Sequence, residues 1–200
     1  MKWAGLSVNN HAPGPVCLAP AKTSVYPFRA VLGETLQFHL VKRAALVHQE
    51  WVTLTVLFLP FAGAFLAPFL ARFLGHRAAW PLAIVPALCF LHFTGFMGPV
   101  ASGQTITGGY PWVEALGVDF SWLIDGLSLT FALLVTGIGT FIVLYAGGYL
   151  KGHPHQGRFF SFILLFMGAM QGLVLADSFL MLFVFWELTS ITSFLLIGFD

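Results

Sequence analysis

Beyond residue 50 the chain is a series of long apolar runs separated by short polar stretches. The runs cover residues 52–71, 78–98, 122–150, 159–176 and 178–198. A helix rises about 1.5 Å per residue, so a run of roughly 20 residues crosses a hydrocarbon core of about 30 Å. The pattern therefore predicts an all-α integral membrane protein with about five transmembrane helices. The first run carries Pro60 and Pro68, which transmembrane helices tolerate, and is closed by Arg72, His76 and Arg77. The second has Trp80 at an interfacial position. Residues 99–121 are polar and Gly-rich, with Glu114 and Asp119 as their charges, and read as a solvent-facing hairpin or short-strand loop. The third run is longer than a bilayer needs, is entered through Asp125, and ends at a basic turn of Lys151, His153, His155 and Arg158.

Residues 1–50 follow a different pattern. They hold five of the nine Lys and Arg, several Pro and no spanning run. They read as a disordered or loosely ordered leader. Basic loops at 72–77 and 151–158 belong on the cytoplasmic side, and the acidic or neutral connections on the other. That assignment puts the leader outside despite Lys42 and Arg43 just before the first helix. The expectation that reconciles the two is a non-native leader, with the protein proper beginning near Val52.

Composition narrows the function classes. Hydrophobic residues make up 58% of the chain and charged ones 8%, and the cations cap apolar segments without forming a patch, which excludes a nucleic-acid surface. Cys17 and Cys89 give no disulfide framework and no metal pattern. No phosphate loop, nucleophile triad or iron–sulfur cysteine cluster is present, so neither a cofactor nor enzymatic catalysis is expected.

The candidate chemistry centres on Glu187, the one carboxylate inside the last apolar run. It lies about 15 Å along a helix from Asp177, near the middle of a bilayer. An anion at that depth costs roughly 2.5–3.5 kcal/mol on insertion scales, so it normally faces protein or water and marks an ion or proton path. Burial would raise its proton affinity, as a reversible carrier requires. The alternative is a protonated Glu that only hydrogen-bonds a neighbouring helix. Helical spacing puts Phe183, Ser190, Ile191 and Phe194 on the side of Glu187 and Thr189, Thr192 and Ser193 roughly opposite. Polar groups on both faces suggest a helix buried inside a larger bundle. Ser190 is the supporting partner expected for Glu187, unless the hydroxyls bond their own helix carbonyls.

Asp177 reads either as a proton group at the mouth of that path or as the cap of the helix starting at Ser178, and Asp125, with Ser128 one turn on, poses the same choice. His153 and His155 read as a proton antenna, a weak metal pair or solvated loop residues. Cys89 and His92 make half a metal site and read as packing. Gly168 and Gly172 have the spacing that lets helices approach closely, and Gln171 beside them needs a partner.

The stretch 120–199 resembles the antiporter-like superfamily that includes the large A-type subunit of Mrp-type multisubunit sodium/proton antiporters and the L subunit (chain 5) of respiratory complex I. The motifs that carry the resemblance are Ser121-Trp122-Leu123-Ile124-Asp125-Gly126-Leu127-Ser128, Arg158-Phe159-Phe160, Leu175-Ala176-Asp177, Trp186-Glu187 and Leu195-Leu196-Ile197-Gly198-Phe199. Residues 52–71, with Leu59-Pro60-Phe61 and Leu66-Ala67-Pro68, look like the family's first helix. Phe185-Trp186-Glu187-Leu188-Thr189-Ser190 and Phe166-Met167-Gly168-Ala169-Met170 look like the pattern of the Mrp A-type subunit. The resemblance implies an antiporter-like amino-terminal domain over 110–200. It implies that Glu187 corresponds to an intramembrane Glu that pairs with a Lys on a later, broken helix and takes part in proton transfer. It also implies companion membrane subunits in a cell membrane, sodium and protons as the ions moved, and no cofactor. Two other readings remain at this point: a transport-silent structural module or fragment, and a proton-pumping L-type subunit of complex I.

Overall fold

The computed structural model describes residues 28–113 and 118–199, with side chains for 50–112 and 119–199. Met1–Lys42 and Arg43–Asp200 form separate compact units. Of the first unit, residues 28–42 are described, and they are α-helical. Residues 28–50, read from the sequence as part of a leader, are α-helical, and residues 1–27 lie outside the described residues. Everything below concerns the second unit.

The elements in order are helices α1 (Phe28–Leu74), α2 (Ala79–Thr94) and α3 (Met97–Ala101), strands β1 (Ile106–Val113) and β2 (Val118–Ile124), then helices α4 (Gly126–Tyr149), α5 (Gln156–Leu175) and α6 (Phe179–Ile197). Four stretches are long and apolar enough to cross a membrane: Glu50–Thr94, Gly126–Tyr149, Gln156–Leu175 and Phe179–Ile197. The first of them is folded into two legs. A 3-10 turn, Gly75–Ala78, reverses the chain, and Gly75 takes φ +56°, a left-handed conformation that costs glycine little. The legs run antiparallel, with Thr53 opposite His92 and Gly63 opposite Val85. The protein is a mostly helical, multi-pass membrane protein with five long apolar helices among the described residues.

Helix α5 sits at the centre of the bundle. Its Gly168 faces Phe61 of α1 and its Gly172 faces the Phe185 ring of α6, each too closely to admit a methyl group. On another side, Met167 fills the space over Gly139 of α4. Lipid tails are as apolar as these side chains, so association rests on such close packing and on hydrogen bonds between helices. Phe160, Leu164, Leu82 and Val143 are fully buried at one end of the bundle. Phe93, Trp122, Ile124 and Leu175 fill the other.

The two prolines of α1 determine where those hydrogen bonds fall. Proline has no N–H, so Pro60 and Pro68 leave the carbonyls four residues earlier, Val56 and Ala64, without their helical donors. Each is served from a neighbouring helix. The Cys89 thiol of α2 donates to Val56 O at 3.5 Å, and the Ser161 hydroxyl of α5 donates to Ala64 O at 2.9 Å.

The polar connection 99–121 forms α3 and the antiparallel pair β1–β2, with Tyr110 opposite Phe120 and Ile106 opposite Ile124. Trp122, Leu123 and Ile124 belong to β2, so the third apolar run becomes helix only at Gly126, four residues later than its hydrophobicity suggests. Ala176 bridges to Trp122, and the Asp177 N–H donates to Ser121 O at 3.2 Å, which ties the start of α6 to the hairpin.

The pairing of Pro68 with Ser161 has a measurable consequence for stability. Ser161→Ala leaves the Ala64 carbonyl unsatisfied and lowers stability by about 1–2 kcal/mol. In a Pro68→Ala background, where residue 68 regains its N–H, the same change costs less than about 0.5 kcal/mol. Thermal unfolding of the four proteins in detergent measures the coupling, and equal costs in both backgrounds contradict it.

Candidate functional site

Helix α6 opens at Ser178, whose hydroxyl oxygen accepts from Met181 N at 3.3 Å. The cap is therefore Ser178 and not Asp177, which stands one residue outside the helix with its N–H engaged by β2. The helix is seated by one side alone: Met181, Phe185 and Thr192 are buried, and Phe185 lies over Gly172 of α5. Phe183, Glu187, Ile191 and Phe194 are exposed, Phe194 to 75%.

Glu187 thus projects from a face of α6 that the described residues leave uncovered. Among the described residues it makes no ion pair. Ser190 is not its partner either, because its hydroxyl donates to Trp186 O at 3.2 Å. Thr189 donates to Trp186 O at 2.6 Å and Thr192 to Leu188 O at 2.8 Å. All three hydroxyls serve carbonyls of their own helix, which leaves the Glu187 carboxylate as the charged group of α6, directed outward near the middle of the helix.

Asp125 closes a reciprocal cap on α4. Its Oδ1 accepts from Ser128 N at 2.8 Å, while its own N–H donates to Ser128 Oγ at 2.8 Å. The Ser128 amide, followed by the Ser128 hydroxyl, holds the Asp125 carboxyl below its ordinary range. Asp125 and Asp177 lie at the hairpin end of the bundle, next to opposite ends of the segment 121–125. Neither is brought to Glu187, which is about 15 Å along α6 from Asp177.

The remaining candidates divide. In the turn before α5, His155 N–H donates to His153 Nδ1 at 3.2 Å, and among the described residues no group of three or more His, Cys, Asp or Glu could hold a metal ion. Cys89 and His92 are both engaged with α1, through Val56 O and the Thr53 hydroxyl. Gln171 is fully buried beside Cys89, close enough to act on the thiol electrostatically, yet neither amide atom has a hydrogen-bond partner in good geometry. Two features escape the sequence. Pro68 signals that a carbonyl needs a donor, but not that Ser161 on a distant helix supplies it. The basic loops at 72–77 and 151–158 are separate in the chain, whereas the fold joins them around one cavity.

Comparison with known proteins gives a consistent result. Residues 112–160 match the family described as NADH-ubiquinone oxidoreductase (complex I), chain 5 N-terminus. The chain is 42% identical over 142 residues to the A1 subunit of a Na(+)/H(+) antiporter of Staphylococcus haemolyticus, covering 70% of this chain. It is 41% identical over 152 residues, 75% of this chain, to the A-type subunit of a Na(+)/H(+) antiporter of Alkalihalophilus pseudofirmus. The chain spans 18% of the length of these curated relatives. The fold is similar to a chain of the Mrp complex from a Dietzia species, with TM-score 0.61 and 35% identity, over 71% of this chain and 15% of that one. It also matches, as a fold alone at 21% identity and TM-score 0.56, a chain of an archaeal membrane-bound sulfane sulfur reductase, over 70% of this chain and 22% of that one.

The cap geometry gives a pH-dependent prediction. Asp125→Ala removes the acceptor for Ser128 N and lowers stability at neutral pH by about 1 kcal/mol. The folded-state pKa of Asp125 is depressed, so its contribution is complete above the ordinary carboxylate value of about 3.9 and is lost as pH falls through the lower folded value. The melting-temperature gap between wild type and variant should therefore be constant from neutral pH down to about 4 and narrow on further acidification. A gap that widens below that pH contradicts the assignment.

Proposed function

We propose, starting from the resemblance of this chain to the amino-terminal portion of the Mrp A-type subunit, that it works in a multisubunit monovalent cation/proton antiporter and moves protons in exchange for sodium. The observation that carries this reading is Glu187 on the uncovered face of α6, within a stretch similar to sodium/proton antiporter subunits. A carboxylate at mid-depth is stable only against protein or water. The described residues supply the carboxylate and leave its face open, and this reading takes the counterpart from further protein. The resemblance implies a Lys on a broken helix in that place. A nearby cation would favour the charged form of Glu187, and its withdrawal the protonated form. Alternation between the two is what a proton carrier does.

Asp177 and Asp125 then act as accessory groups at the hairpin end of the path. Asp177 is free of the cap, which suits exchange with bulk water. Asp125 is committed to its cap, which holds its charge in place and makes it a fixed electrostatic guide. Ser190, bonded to its own helix, contributes by occupying the turn next to Glu187. The basic loops 72–77 and 151–158 face the cytoplasm of a cell membrane by the distribution of Lys and Arg. Other membrane subunits cover the open face, and no cofactor takes part.

The test is sodium-dependent proton movement in everted vesicles that carry the chain with its companion subunits. Glu187→Gln keeps the shape and removes the titratable group, and should lower the rate at least about tenfold, as expected for loss of a proton-transferring group. A variant as active as wild type places the proton path elsewhere.

A further inference from the structure

At the end of the bundle opposite the hairpin, the last turns of α1 and the turn leading into α5 enclose a cavity of about 660 Å3. Arg72, His76, His153, His155 and Arg158 line it, and no carboxylate of the described residues does. Neither Arg72 nor Arg158 is within ion-pair distance of a carboxylate among the described residues. The N-terminus of α5 opens into the same space, since Gln156, Gly157 and Arg158 form part of the wall.

That helix start is electrostatically unusual. A helix N-terminus presents unpaired N–H groups and the positive end of the helix dipole, and is normally offset by a capping oxygen or an acidic residue. Here the Gln156 N–H donates to His153 O and the Arg158 and Phe159 N–H groups to His155 O, while His155 makes no side-chain cap hydrogen bond and the first turn of α5 contains no acidic residue but carries Arg158. Arg158 is steadied over the Phe162 ring at 5.9 Å. The positive end of the helix dipole, Arg158 and Arg72 thus border one cavity, with no ion pair to either Arg among the described residues, and such a basic pocket suits a phosphate group.

A second cavity separates a lipid from a free anion. An apolar groove of about 330 Å3 runs between α1 and α5, lined by Ala64, Phe65, Pro68, Phe69, Ser161 and Leu165. It shares Pro68 with the basic cavity and lies one to two turns further along both helices, on the outer surface of the bundle. Phe65 and Phe69 are 79% and 64% exposed. A charged head at the level where the apolar helices end, with an apolar channel one or two turns deeper, has the shape of a phospholipid. We infer that Arg72 and Arg158, beside the positive end of the α5 helix dipole, bind the phosphate headgroup of an anionic phospholipid whose acyl chain lies in the groove between α1 and α5.

The inference is tested by native mass spectrometry of the full 200-residue chain released from detergent with phosphatidylglycerol or with phosphatidylcholine of the same acyl chains. Retention should favour phosphatidylglycerol. Arg72→Gln and Arg158→Gln should each weaken it about fivefold, the effect of one cation near an anionic lipid surface. Arg77→Gln, which alters an exposed cation outside the cavity, should change it less than about twofold. Without lipid, Arg158→Gln should melt no lower than wild type, because it removes a cation from a helix N-terminus; if it does lose structure, Arg72→Gln decides alone. Inorganic phosphate in large excess should not displace the lipid. Equal retention of both lipids, an equal loss with Arg77→Gln, or displacement by inorganic phosphate overturns the inference, the last in favour of a free-anion site.

Discussion

In an apolar medium every backbone carbonyl needs a donor, and in this protein the two carbonyls released by Pro60 and Pro68 find theirs on other helices. Much of the packing follows from that. The Ser161 bond fixes α5 against α1 in rotation and in depth, and the Cys89 contact does the same for α2. With α5 held this way, Gly168 comes to lie under Phe61 and Gly172 under Phe185, and α6 is placed by the second of these. The prolines therefore help to set the position of the helix that carries Glu187, although they are on a different helix from it.

The module is well satisfied internally and open on one side. Thr189, Ser190 and Thr192 close their hydrogen bonds within α6, Asp125 closes its bond within the start of α4, and Ser178 caps α6. What remains is a carboxylate on an open face and a helix held by three buried side chains. That division suits the proposed role, in which the helices hold one titratable group in place while other protein supplies the charge against which it works. The fully buried Gln171 amide is the exception within the core, for which the described residues offer no hydrogen-bond acceptor or donor in good geometry.

Much of this is legible in the sequence, and the parts that are not share physical causes. Apolar runs and their Pro, Gly and charged boundaries mark the helices, and the spacing of Asp125 and Ser128 marks the cap. Trp122–Ile124 read as helix because a short buried strand and the start of a buried helix are equally apolar. Asp177 and Ser178 are both good caps, and only the bond from Asp177 N–H to Ser121 O, a contact across 56 positions (177 − 121), makes Ser178 the one used. The exposed side of α6 is hidden for a different reason: a helix with apolar and polar groups on both faces carries no single stripe to show which face meets protein. The basic cavity and the Ser161 bond depend on pairings between distant helices, which local pattern does not encode.

The central claim is that α6 is covered on its α5 side by this chain and on its Glu187 side by further protein. Spin labels introduced through Phe183→Cys and Phe194→Cys, read by their accessibility to lipid-soluble oxygen in the chain alone and in the assembly with its companion subunits, measure this directly. The account predicts high accessibility in the isolated chain and strong protection in the assembly, with a label at an α4 control position, Phe141→Cys, unchanged between the two. Phe183 and Phe194 labels that stay equally accessible to lipid in the assembly would contradict it, because Glu187 would then face hydrocarbon and could not serve as a carrier.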